Sequence, residues 1–80
     1  MSEKEKEVFE KIKGIIVNQM GCSESAVEID ADLSEDLNIG SLDKIEIFIA
    51  IEKQFNYEFN DTDMEGIETV RDIVEKMANI

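Results

Sequence analysis

Residues 41–55 read SLDKIEIFIAIEKQF, and this stretch decides the fold class. On a helical wheel at about 100° per residue, Ile47, Phe48, Ile51 and Phe55 fall within one arc of roughly 100°. One face of a helix needs an arc of that width to pack against a core. The stretch therefore predicts an amphipathic α-helix over its whole length.

The same helix carries a second apolar stripe, made of Leu42, Ile45 and Ile49. A helix that buries only one face does not require this stripe. Deeper burial at the centre of a small bundle is one explanation for it. We favour partial exposure as a partner-binding strip, because apolar contacts supply affinity and flanking acids such as Glu46 and Glu52 steer a basic partner.

A long helix is predicted upstream, over roughly residues 3–20. Ser2 and Glu5 have the spacing of a capping box, and Gly21 is typical of the residue at which a helix ends. Between these signals, apolar residues recur at helical spacing: Val8, Phe9, Ile12, Ile15, Ile16 and Met20.

Two shorter helices are predicted downstream. Asn60 or Asp61 is suited to cap the first, and Thr69 with Asp72 forms a capping-box pattern that opens the second. No strand pair, internal repeat or low-complexity segment is recognisable. The sequence thus predicts an all-α fold: a four-helix bundle with a short third helix and a long loop between the first two helices, as a single domain over residues 1–80.

The long loop, residues 22–40, leads directly to Ser41. A loop of that length in a compact domain is usually functional. Its spaced apolar residues indicate that it packs across the bundle: Val27, Ile29, Leu33, Leu37 and Ile39. A serine at a helix start exposes its hydroxyl beside free backbone N–H groups and the positive end of the helix dipole, which favours a phosphate there. The alternative is an ordinary helix cap.

The formal net charge is −12, and it is concentrated around Ser41. Residues 28–46 hold seven acids against Lys44 alone. Such a chain repels nucleic acid and anionic membranes and attracts basic surfaces, although a merely solubilising acidic surface is the plainer explanation. The longest apolar run, residues 47–51, is too short to span a bilayer.

Several residue types are scarce. The chain has no histidine, which excludes Ser-His and Cys-His catalysis and imidazole metal sites. Cys22 is the only cysteine, so it forms neither a disulfide within the chain nor a thiolate metal cluster. We therefore expect neither an enzyme nor a metal site. The first residues do not resemble a signal or transit peptide, so the expected location is cytoplasmic.

Several segments together resemble the acyl carrier protein family, and the resemblance covers nearly the whole chain. They are Leu33-Ser34-Glu35-Asp36-Leu37, Ser41-Leu42-Asp43, Ile45-Glu46-Ile47, the stretch from Ile51 to Phe55, and Thr69-Val70. The resemblance implies a phosphopantetheine arm joined to Ser41 by a phosphodiester. The terminal thiol of that arm holds acyl groups as thioesters, so the protein is a carrier in fatty acid, polyketide or related lipid synthesis.

The resemblance also implies partners and site residues. A phosphopantetheinyl transferase and acyl-transferring or synthase enzymes with basic docking surfaces would bind a monomeric carrier. The docking residues carried over from the family are Leu42, Asp43, Ile45, Glu46, Ile49 and Glu52 on the second helix, with Asp36 in the loop. An acyl pocket would be lined by Ile47, Phe48 and Ile51, for which an ordinary core role is equally compatible.

The chain departs from the family pattern at specific positions. Gly40 stands where the family usually has Asp before the modified serine, and Asn38 replaces the usual Gly. Phe59-Asn60-Asp61 replaces Ile-Pro-Asp, and Lys53 stands where fatty-acid carriers often have an acid. These departures leave the attachment chemistry in place and favour a specialised carrier.

Three other functions fit parts of the pattern. A peptidyl, D-alanyl or aryl carrier shares the fold and the arm. An unmodified acidic adaptor would use Ser41 as a cap only. A calcium-binding module is suggested by Asp61-Thr62-Asp63, but the twelfth position of that loop is Asp72 where Glu is required, and the eighth is Glu68 where an apolar residue is required.

Overall fold

Four α-helices and one 3₁₀ turn follow one another in the computed structural model, which describes residues 1–80. The helices are α1 (Glu3–Met20), α2 (Ser41–Phe55), α3 (Asp61–Glu65) and α4 (Val70–Ala78), with the 3₁₀ turn at Glu24–Ala26. The predicted all-α fold, with a short third helix and a long first loop, is confirmed. The 3₁₀ turn was not predicted.

Local signals fix the helix ends. Each of α1, α3 and α4 begins with a reciprocal capping box, formed by Ser2 with Glu5, Asn60 with Asp63, and Thr69 with Asp72. Gly21 ends α1 in the left-handed conformation, with a φ of 69°, and its N–H donates to the Val17 carbonyl at 2.8 Å. The capping boxes predicted for α1 and α4 are therefore confirmed, and Asn60 is the cap of α3.

The core is entirely apolar and is built around α1. This helix packs against both α2 and α4, so α1, rather than α2, is the central element. Fifteen residues are buried and none of them is polar or charged. The helices supply Val8, Ile12 and Ile16 from α1, Ile47, Phe48 and Ile51 from α2, and Val70, Ile73, Val74 and Met77 from α4. Phe55, predicted to share the core face of α2, is only half-buried.

The long loop is fastened to the start of α4. The Leu33 N–H donates to the Glu68 carbonyl at 2.9 Å, and the Val70 N–H donates to the Ala31 carbonyl at 3.0 Å. These bonds flank an isolated antiparallel bridge between Asp32 and Thr69, although no strand pairing was predicted. As predicted, the loop packs across the bundle: Val27, Leu33 and Ile39 are buried, while Ile29 and Leu37 are half-buried.

The carboxylate of Asp72 holds the entry to α4. It accepts the N–H of Glu68 at 3.0 Å and that of Thr69 at 3.1 Å. The bond from Glu68 contributes most to lowering the pKa of Asp72 below its ordinary value of 3.8. Because the folded-state pKa is depressed, the stabilisation is complete above the ordinary pKa and is lost as pH falls through the folded one.

We expect Asp72→Ala to lower the free energy of unfolding at pH 7 by about 1–2 kcal/mol, the usual cost of losing a capping side chain. The difference from the parent chain should shrink as the pH falls below about 4. Glu75→Ala removes an exposed carboxylate from the same helix and should change stability by less than about 0.5 kcal/mol. Denaturant unfolding at several pH values measures both. If the loss of unfolding free energy in Asp72→Ala stayed constant down to pH 2, the ionised Asp72 carboxylate would not be the group that stabilises the start of α4.

Candidate functional site

Ser41 is the first residue of α2, and its side chain is exposed. The cap residue before it, Gly40, has extended backbone angles (φ −79°, ψ 175°) and supplies no side-chain acceptor. The first intrahelical bond runs from the Lys44 N–H to the Gly40 carbonyl at 2.9 Å. The N–H groups of the first turn therefore have no side-chain cap and face the space around the Ser41 hydroxyl, where an anion is stabilised.

The loop before Ser41 is held by a network centred on Asp32. Its Oδ1 accepts the N–H of Glu35 at 2.9 Å, and the N–H and hydroxyl of Ser34, both at 3.0 Å. The bond from the Glu35 N–H contributes most to lowering the pKa of Asp32, followed by that from the Ser34 hydroxyl. Asp36 accepts the Asp32 N–H at 2.8 Å. Asp36, a predicted docking residue, is thus exposed but bonded within the loop.

Asn38 makes the last turn before the serine. It adopts the left-handed conformation, with a φ of 55°, which Asn accepts more readily than most residues. The next residue, Ile39, is buried, and its N–H donates to the Leu33 carbonyl at 2.9 Å. Asn38 therefore makes the turn that delivers Ser41 to the helix start without the glycine that the resemblance implies at this position.

Beside Ser41 lies a cavity of about 340 Å³ between α2 and α3. Its lining residues are Ser41, Lys44, Ile45, Phe48, Asp61, Met64 and Glu65. The exposed hydroxyl, the uncapped helix end and this adjoining space fit a flexible arm joined through a phosphodiester. Of the three residues predicted for an acyl pocket, only Phe48 reaches this cavity. Ile47 and Ile51 pack in the core, and their role toward a cargo stays a prediction.

The second apolar stripe of α2 faces solvent. Leu42 is 70% exposed, Ile45 52% and Ile49 44%, whereas the core residues of the same helix are at most 3% exposed. Burial within the bundle therefore does not account for this stripe. The prediction of partial exposure is confirmed.

Comparison with known proteins agrees with this site. A family model described as a phosphopantetheine attachment site matches residues 10–77. An acyl carrier protein from Campylobacter hominis is 35% identical over 74 residues, which are 92% of this chain and 94% of that protein. The chain belongs to the acyl carrier protein family. Its cofactor is accordingly covalently attached phosphopantetheine, and the alternative of an adaptor without the arm is not retained.

The fold of this acyl carrier protein also matches a solved structure. A candidate acyl carrier protein from Anaplasma phagocytophilum, determined in solution, superposes with a TM-score of 0.88 and covers 99% of this chain and 93% of that one. Its sequence identity is 23%, so the match supports the fold alone.

Two acids on α2 of the carrier converge on one side chain of α1. The Gln19 amide nitrogen donates to Asp43 Oδ1 at 3.4 Å and also to Glu46 Oε2. Sequence reasoning proposed both acids for docking but missed Gln19, because nothing local links it to residues more than twenty positions away. The amide fixes the spacing of two carboxylates beside the exposed Ile45.

Glu52 has a different environment from the other docking acids. It is half-buried, and its Oε2 accepts the Phe59 N–H at 2.8 Å. Phe59 in turn packs edge-on against Phe48, with the ring centres 5.0 Å apart. Glu52 therefore organises the connection from α2 to α3, and its predicted contact with partners stays a prediction.

The segment proposed as a calcium loop is not a loop. Asp61–Glu65 form α3, and Asp72 lies within α4. Asp63 receives the Asn60 N–H at 3.2 Å and the Lys76 ammonium at 2.7 Å, so its carboxylate is already occupied. No cluster of three or more metal-ligating side chains occurs in the structure. The calcium-binding alternative is therefore wrong in its geometry.

No helix of the carrier has the length and hydropathy that crossing a membrane would need.

Proposed function

We propose that this acyl carrier protein carries acyl groups as thioesters on phosphopantetheine attached to Ser41, and passes them among enzymes of fatty acid or related lipid or polyketide synthesis. The observation that carries the proposal is the exposed Ser41 hydroxyl at the uncapped start of α2, beside an open cavity. The chain itself catalyses nothing under this proposal, since the thiol chemistry belongs to the arm.

The attachment reaction uses coenzyme A as substrate and a transferase as catalyst. The Ser41 oxygen forms a bond to the phosphorus that carries pantetheine, the bond from that phosphorus to the adenosine bisphosphate breaks, and the serine proton is lost to the transferase. This chain's part is to present the hydroxyl free of internal hydrogen bonds. The first turn of α2 then stabilises the diester anion by about 0.3–1 kcal/mol at low ionic strength.

Mass spectrometry of the intact chain tests the proposal directly. Incubation with coenzyme A and a broad-specificity phosphopantetheinyl transferase should add the mass of one phosphopantetheinyl group, and the modified peptide should contain Ser41. No mass gain, or a modified peptide elsewhere in the chain, would refute the proposal.

The exposed stripe of α2 supports docking of partner enzymes with basic surfaces. Asp43 and Glu46 lie beside it, in a chain whose formal net charge is −12. Complementary charge speeds encounter, while the apolar side chains supply contact area once the surfaces meet. The Gly40 and Lys53 departures alter this same surface, which favours a partner set distinct from that of a housekeeping fatty-acid carrier.

We expect Ile45→Glu to reduce kcat/KM for arm transfer by roughly 10- to 30-fold, the effect of losing a central interface contact of about 1.4–2 kcal/mol. Ile45 is 52% exposed, so the fold should be unaffected. Ile80→Glu is the matched control, because Ile80 is 49% exposed and lies after α4. Steady-state kinetics with circular dichroism measures both variants. Unchanged transfer by Ile45→Glu would show that the stripe is not a docking surface.

A further inference from the structure

Lys44 is the only positively charged residue between residues 28 and 52, and its side chain has an unusual environment. Its side chain is half-buried, its ammonium donates to the Ile67 carbonyl at 3.2 Å, and it lies 5.9 Å from the centre of the Phe48 ring. The ion pairs of the structure are made by Lys13, Arg71 and Lys76, with Lys44 in none of them. Because an ammonium has three donors, hydrogen-bonding capacity remains at Lys44.

Lys44 lies one helical turn after Ser41, on the same face of α2. Residues three apart on a helix have Cβ atoms about 5–6 Å apart, and helical side chains lean toward the N-terminus. The Lys44 side chain therefore leans toward the turn that begins with Ser41. Both residues line the 340 Å³ cavity between α2 and α3. A group attached to the Ser41 oxygen lies within the reach of the Lys44 ammonium.

The surroundings of Lys44 are acidic but provide no fixed counter-ion. Asp61 and Glu65 line the same cavity, and Asp32, Glu35 and Glu68 line a second space on the other side of Lys44. None of these carboxylates forms an ion pair with it. The cation is held instead by a neutral carbonyl and an aromatic ring, which leaves its charge available to an anion that arrives later.

We propose that Lys44 binds the phosphodiester of phosphopantetheine and holds the base of the arm at the mouth of the cavity between α2 and α3. This inference rests on Ser41 as the attachment residue. The diester adds a negative charge to a region that already holds several carboxylates, and the Lys44 ammonium offsets this charge at the point of attachment. The bond to the Ile67 carbonyl need not break, because a second N–H of the same ammonium serves the diester.

The test compares Lys44→Met with Lys53→Met, each as apo and holo protein, with attachment confirmed by mass. Both variants remove one positive charge from α2, but Lys53 is exposed and lines neither of the spaces around Lys44. We expect the ³¹P resonance of the diester to shift in holo Lys44→Met and to stay in place in Lys53→Met. The holo-minus-apo difference in Tm should fall by about 2–6 °C in Lys44→Met only.

Both the apo and the holo form of Lys44→Met lack the bond to the Ile67 carbonyl, so the effect of that loss on Tm cancels in the holo-minus-apo difference. Lys44→Arg keeps the positive charge and should retain most of the parent ³¹P shift. This variant provides a test of the contact even if Lys44→Met folds poorly.

Three outcomes would contradict the proposals. Failure of the parent chain to gain the arm refutes the attachment at Ser41. An attached arm with both readouts equal to those of Lys53→Met overturns the role of Lys44. A changed Tm with an unmoved ³¹P resonance also overturns it, because the contact would then be to another part of the arm.

Discussion

Replacing Ser41 with alanine is expected to abolish phosphopantetheine attachment completely while leaving the fold intact. The Ser41 hydroxyl makes no hydrogen bond within the protein, and its side chain is exposed at the first position of α2. Alanine is a strong helix former, so the helix start tolerates it. Without the oxygen there is no site for the diester, and acyl loading should fall below detection.

Ser25→Ala is the control for this experiment, because Ser25 is an exposed serine in the long loop before Ser41 whose hydroxyl bonds to that of Ser23 and not to the Asp32 network. It should accept one phosphopantetheinyl group as the parent chain does. Intact-mass measurement with far-UV circular dichroism distinguishes the outcomes. Equal mass gains on Ser41→Ala and on the parent chain would place the attachment elsewhere. Lost helical signal in Ser41→Ala would instead show that the hydroxyl stabilises the start of α2.

Replacing Ile51 with alanine is expected to produce a large loss of stability. Ile51 is fully buried, and truncating a buried isoleucine costs about 2–5 kcal/mol because it leaves a cavity. At roughly 4–8 °C per kcal/mol for a domain of this size, a cost of about 3 kcal/mol lowers Tm by roughly 12–24 °C. In so small a core this is a large share of the total stability.

Ile49→Ala provides the matched comparison, since it removes the same atoms from the same helix at a position that is 44% exposed. We expect it to change stability by no more than about 0.5–1 kcal/mol. Thermal unfolding followed by circular dichroism measures both variants. Similar losses for the two would mean that the two stripes of α2 are not divided between core and solvent.

The parts of the fold that depend on neighbours in sequence were predicted well. The capping boxes at Ser2 and Thr69 and the glycine stop at position 21 are local interactions, so their spacing in the sequence is sufficient to locate the helix ends. The two stripes of α2 follow from helical geometry alone. Ser41 was identified from its place at a helix start together with the family resemblance.

The contacts between distant segments were not predicted. Gln19 reaches two acids on α2, Glu52 accepts the Phe59 N–H, and the Asp32–Thr69 bridge joins a loop to a helix start. None of these has a periodic or spacing signal, because each depends on how the helices pack. Lys44 did carry a signal, as the single cation among seven acids and three residues after Ser41. Its contact with the Ile67 carbonyl required the structure.

The fastening of the loop to α4 has a consequence for the order of events during protein synthesis. Ser41 lies at the middle of the chain, but the loop that positions it is bonded to the backbone of Glu68 and Val70. A nascent chain that has emerged only as far as α2 therefore displays the serine on an unanchored segment. We therefore expect the transferase to act on Ser41 efficiently only once the segment that contains Glu68 and Val70 has folded against the loop.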